Sequence, residues 1–81
     1  MTTVLRKLIF MKGDTEIAFQ VGSYMNNNSI VVRRIEKVSP NDFIIYASFP
    51  DSDEITEWKK IHIPDSVYFQ EEYNYEVSIT K

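Results

Sequence analysis

The sequence contains no cysteine, one histidine, two glycines and three prolines among its 81 residues. The missing cysteines exclude a cystine framework. With His62 as the sole imidazole, a Cys/His zinc site fails on ligand count alone. A chain this short buries only about 60% of the surface its unfolded state exposes, and small domains often add such staples. Here side-chain packing has to supply the stability. Long apolar runs are missing too: Leu8-Ile9-Phe10-Met11 and Phe43 to Ala47 fall far short of a signal-peptide core or a membrane span. The setting expected from this is cytoplasmic. Scarce glycine also removes phosphate cradles, because Gly13 and Gly22 stand alone and neither opens a helix.

Catalytic templates fail on particular residues. His62, Asp65 and Ser66 form the one local grouping of nucleophile, base and acid types, yet neighbours at one strand end rarely aim at a common centre. Asp51-Ser52-Asp53-Glu54 begins like a calcium loop, but Thr56 stands where position six needs glycine and His62 where position twelve needs glutamate. The chain therefore reads as non-enzymatic, with no cofactor and no metal.

What is present suits strands: 43% apolar and 14% aromatic residues. Gly13-Asp14, flanked by β-branched and aromatic runs, signals a type II′ hairpin. A two-residue loop there predicts Lys12 opposite Thr15, Phe10 opposite Ile17, Leu8 opposite Phe19 and Arg6 opposite Val21. One face then holds Val4, Leu8, Phe10, Ile17, Phe19 and Val21. Gly22 to Ser29 reads as a polar loop. Strands over about 30–38 and 43–49 follow, joined by Ser39-Pro40-Asn41-Asp42 in the residue order of a type I turn. Their register stays open. Val31, Ile35, Phe43, Ile45, Ala47 and Phe49 make a core face, but Arg33 and Lys37 interrupt it.

A fifth strand is expected over about 55–63, ending at Pro64. Pro64-Asp65-Ser66 then fits the cap of a short helix or turn near residues 65–72, with a strand over about 74–80. The competing reading is one long strand, because Val67, Phe69, Tyr73, Tyr75, Val77 and Ile79 share a parity, with Glu71 as the misfit. The expected fold is mostly β: a single domain over residues 1–81, an antiparallel sheet or barrel of five to six strands with one short helix near 65–72.

Charge is uneven. Residues 1–50 carry six bases against four acids, and residues 51–81 carry three bases against eight acids. Acids interleaved with aromatics suit a protein-docking surface. The leading expectation is an inhibitor or adaptor that meets the basic surface of a protein partner through Asp51, Asp53, Glu54, Glu57, Trp58, Glu71, Glu72, Tyr73, Tyr75 and Glu76. Two other readings stand beside it. One is a single-stranded nucleic-acid-binding barrel using Tyr46, Trp58, Arg33, Arg34, Lys59 and Lys60, against which the pI near 5.0 weighs. The other is a homo-oligomer that pairs through an exposed strand edge. No membrane partner is expected.

Overall fold

Gly13 supplies the first fixed point of the fold. Its φ is +63° while Asp14 keeps a negative φ, the combination that defines a type II′ turn. The computed structural model describes residues 3–73. In it β1 (Thr3–Lys12) and β2 (Thr15–Gln20) pair in the expected register, with Lys12 opposite Thr15, Phe10 opposite Ile17 and Leu8 opposite Phe19. The Val21 amide continues the pairing onto the Arg6 carbonyl at 3.0 Å. Val4 and Val21 depart from expectation: both are exposed, and Leu5 is buried in place of Val4. An unmatched Arg6 between Leu5 and Lys7 shifts the parity of the strand, so Leu5 and Leu8 both face the core.

The polar stretch 22–29 holds more structure than its composition suggests. β3 (Tyr24–Met25) pairs with the start of β4 (Ile30–Ser39), and Met25 packs against the core. Asn26, Asn27 and Asn28 have φ of 55°, 60° and 67°, a left-handed turn that asparagine tolerates better than most residues. Ser29 closes the turn by donating from its hydroxyl to the Asn26 carbonyl at 2.7 Å.

β5 (Asp42–Ser48) returns along β4 after the Pro40-Asn41 turn. Continued without interruption, that turn would set Glu36 opposite Ile45. Instead the pairing skips Val38, so Ile35 meets Ile45 and Lys37 meets Phe43. It skips again at Arg33, so Val32 meets Ala47. These two bulges place Val32, Ile35, Phe43, Ile45 and Ala47 in the interior. Phe49, expected on the same face, lies beyond the end of β5 and is 65% exposed.

β6 (Thr56–His62) pairs with β5, and β7 (Phe69–Tyr73) with β1. The helix expected near 65–72 is not there: residues 65–66 form a turn and Phe69 already begins β7. The alternating parity of Val67, Phe69 and Tyr73 prevails, since all three pack on the core. The strand expected over 74–80 lies outside the described residues. The described residues thus form seven strands in one antiparallel sheet, with no helix. β2 and β4 take turns along one side of β1, and β7 occupies the other. The sheet curls until Phe19 of β2 meets Trp58 of β6 edge-on, with ring centres 6.0 Å apart. No ladder joins β2 to β6 among the described residues, so the curl stops short of closure there.

Glu71, the misfit in the sequence pattern, has a structural explanation. It lies opposite Leu8, and Lys37 lies opposite Phe43, so both charges point into the interior face. Lys37 Nζ sits 2.7 Å from Glu71 Oε2, and the Tyr73 hydroxyl donates to Glu71 Oε1 at 2.7 Å. The two charged side chains are only 25% and 16% exposed. Removing one partner strands the other charge, whereas removing both leaves apolar neighbours to pack. In urea unfolding followed by Trp58 fluorescence, Lys37→Met should lose about 2–3 kcal/mol. The double variant Lys37→Met/Glu71→Leu should recover most of that loss.

Candidate functional site

The residues expected to form a docking surface fall into two groups. Asp51, Asp53 and Glu54 occupy the β5–β6 connection, and Glu57 and Trp58 stand on β6. Glu71, Glu72 and Tyr73 belong to β7, which lies against β1 and not against β6. Tyr75 and Glu76 lie outside the described residues.

The β7 group is bound up in the fold. Glu71 is paired with Lys37, as above, and Tyr73 donates to it from the core boundary. Glu72 Oε1 accepts from Arg6 Nη2 at 2.6 Å, placing an ion pair next to the irregularity in β1. That pair is exposed and contributes little to stability. These carboxylates already have counter-charges, which weakens their attraction for a partner.

The β5–β6 group is differently placed. Asp51, Asp53 and Glu54 are exposed and hold no ion pair among the described residues. Two backbone-level bonds shape the loop: the Ser52 amide donates to the Phe49 carbonyl at 3.1 Å, and the Glu54 amide to the Ser52 hydroxyl at 3.0 Å. Phe49 and Ile55, at its two ends, are 65% and 51% exposed. Next to it lies a cleft of about 350 Å³ with Phe49, Ala47, Ile30 and Trp58 among its walls. Glu54 and Glu57 also line it. Glu57 is 3.8 Å from Lys60, a loose contact that leaves most of its charge unneutralised. Parity places Phe49 in the core, but β5 ends at Ser48 and Phe49 lies exposed just beyond it.

Trp58 joins this cleft to the interior. The β5–β6 ladder pairs Ile45 with Lys59 and Tyr46 with Glu57, which leaves Trp58 as the extra residue of a bulge. Its ring packs edge-on against Phe19, and the Lys59 ammonium lies 4.9 Å from its centre.

The cationic set considered for nucleic acid is mostly engaged. Arg33 Nε donates to the Ser48 hydroxyl at 2.8 Å, and Arg34 Nε to Glu36 at 2.6 Å. The Tyr46 hydroxyl donates to the same Glu36 at 3.3 Å, and partial burial followed by that carboxylate holds the phenol above its ordinary pKa. A protonated phenol tied to a carboxylate is neither a stacking platform in open solvent nor a ready base.

The β4–β5 turn also brings its serine and aspartate against a histidine of β6. His62 Nδ1 is 2.8 Å from Asp42 Oδ1, and the Ser39 hydroxyl donates to Asp42 Oδ2. The order of contacts matters. A nucleophilic serine needs the imidazole as its own proton acceptor, with the acid behind the imidazole. Here the carboxylate sits in the middle, so His62 cannot take the Ser39 proton. Asp65 of the sequence grouping instead accepts from Asn41 Nδ2 at 2.9 Å. Among the described residues no three acidic or imidazole side chains gather as metal ligands.

The Ser39 hydrogen bond, reinforced by His62, holds Asp42 below its ordinary carboxylate pKa. A carboxylate depressed in the folded state contributes stability that is present above its unfolded pKa of about 3.9 and lost as pH falls through the folded value. The melting-temperature advantage of the native chain over Asp42→Asn should therefore hold at pH 5 and shrink below pH ~4. Thermal melts across that range check it. No family model, curated protein or solved structure matches this chain.

Proposed function

We propose that this chain is a non-enzymatic, cytoplasmic protein-binding module that uses its β5–β6 loop to grip the basic surface of a protein partner. One observation carries the reading: the cleft beside Phe49 and Trp58 has apolar walls and two carboxylates, Glu54 and Glu57, among its lining residues. An arginine or lysine side chain has the complementary form, an apolar stem ending in a charge. Exposed Phe49 and Ile55 offer area that a partner can desolvate, while Asp51 and Asp53 add long-range attraction to basic surfaces. This narrows the expected contact set to Asp51, Asp53, Glu54, Glu57 and Trp58, with Phe49 and Ile55 added.

The test is affinity capture from lysate of the source cells with three baits: the native chain, Glu54→Lys/Glu57→Lys, and Phe49→Ser. A fourth bait, Glu72→Gln, alters an acid outside the cleft. The expected outcome is a protein retained by the native chain and Glu72→Gln but reduced at least tenfold with the other two. Equal retention by all four baits, or none by the native chain, counts against the proposal.

A further inference from the structure

A second concavity lies on the other flank of Trp58 and has the opposite electrical character. It is a groove of about 680 Å³ between the tip of the β1–β2 hairpin, β6 and the segment after Ile63. Phe10, Ile17, Phe19, Met25, Ile61 and Val67 give it an apolar lining. Its remaining lining includes Lys12, Lys59, Lys60 and His62 but no aspartate or glutamate. In a chain with 12 acids against nine bases, that exclusion of carboxylates is the notable feature. Lys12 comes from the end of β1 and Lys59 from β6, on opposite banks. Neither holds an ion pair among the described residues, whereas Lys60 is shared with Glu57.

We propose that this groove binds a small amphipathic anion: an alkyl body against the apolar lining and one acidic head between Lys12 and Lys59. Size and charge both favour that occupant. The volume falls within the roughly 300–1,000 Å³ of small-molecule sites, which are mostly apolar with a few polar groups that orient the ligand. A nucleobase fits less well. The Trp58 ring already meets the Phe19 edge and has the Lys59 ammonium 4.9 Å from its centre, and most of the remaining lining is aliphatic. The groove and the cleft share only the Trp58 wall, and their charged lining residues differ, so charge variants test each separately.

Trp58 is the only tryptophan and lines both the groove and the cleft, so its emission responds to occupancy of either. On the Glu54→Gln/Glu57→Gln variant, which removes the cleft's attraction for a cation, titration with sub-micellar dodecanoate should shift that emission to saturation, while dodecylammonium at equal concentration should not. Lys12→Glu/Lys59→Gln should weaken dodecanoate at least tenfold while its thermal melt stays near that of the native chain. Lys12→Glu alone, which leaves the Trp58 surroundings untouched, should move affinity the same way. Equal response to both amphiphiles, or native affinity in the lysine variants, would reduce the effect to nonspecific adsorption and overturn the proposal. So would an absent response in a chain that sediments as a dimer, which assigns the groove to a second copy. A response to an acidic apolar peptide but not to dodecanoate overturns it as well, by making the occupant a polypeptide.

Discussion

Everything in this fold hangs on β1 having to satisfy three partners at once. Over residues 7–12 it bonds to β2, over 3–5 to β4, and along its other edge to β7. A strand of strict period two would turn Val4, and not Leu5, toward the interior that Leu8 occupies. The unmatched Arg6 resolves the conflict by inserting one residue, so the strand changes neighbours while keeping both leucines inside. The same position carries the guanidinium that reaches Glu72 on β7. One irregularity thus joins the hairpin half of the molecule to the β4–β5–β6 half, and the core of Leu5, Leu8, Phe19, Val32, Ile35, Phe43, Ile45 and Ile63 spans the junction.

Charge is arranged around that core in three ways with different consequences. Lys37 and Glu71 are turned inward and neutralise each other at the core boundary. Arg34 with Glu36 and Arg6 with Glu72 are outward pairs that cancel locally. Among the described residues the acids of the β5–β6 loop hold no ion pair, and neither do Lys12 and Lys59 on the far side of Trp58. A single indole therefore separates an acidic cleft from a basic groove. The net charge of −3 conveys none of this, because it averages over pairs that cancel and charges that do not.

The most legible element was the first hairpin, where turn type, register and apolar parity all act within a few residues of Gly13. The β4–β5 pair was half legible. Its turn position follows from Ser39-Pro40-Asn41-Asp42, but Arg33 and Lys37 break the apolar pattern of the interior face. Bulges at Val38 and Arg33 remove the conflict for one, and Glu71 supplies a counter-charge for the other. Residues 65–72 misled in the opposite direction, because a proline–aspartate–serine cap is a local signal. The packing of Val67, Phe69 and Tyr73 on the core outweighs it. Of the candidate site, the acids of 51–57 were visible as a run. Phe49 was hidden because parity cannot show where a strand stops.

The sequence by itself determined the β character of the chain, the hairpin at Gly13-Asp14, the stop at Pro64 and the exclusion of disulfide and Cys/His zinc chemistry. Each follows from residue types or from contacts a few positions apart. Only the tertiary structure decided which charges are spent and which are free. Lys37 and Glu71 are 34 residues apart in sequence, Arg6 and Glu72 are 66 apart, and the cleft and groove gather residues from several strands. An ion pair or a concavity is set by distance in space. In this sheet that distance depends on single inserted residues at Arg6, Arg33, Val38 and Trp58, whose effect on parity no local pattern reveals.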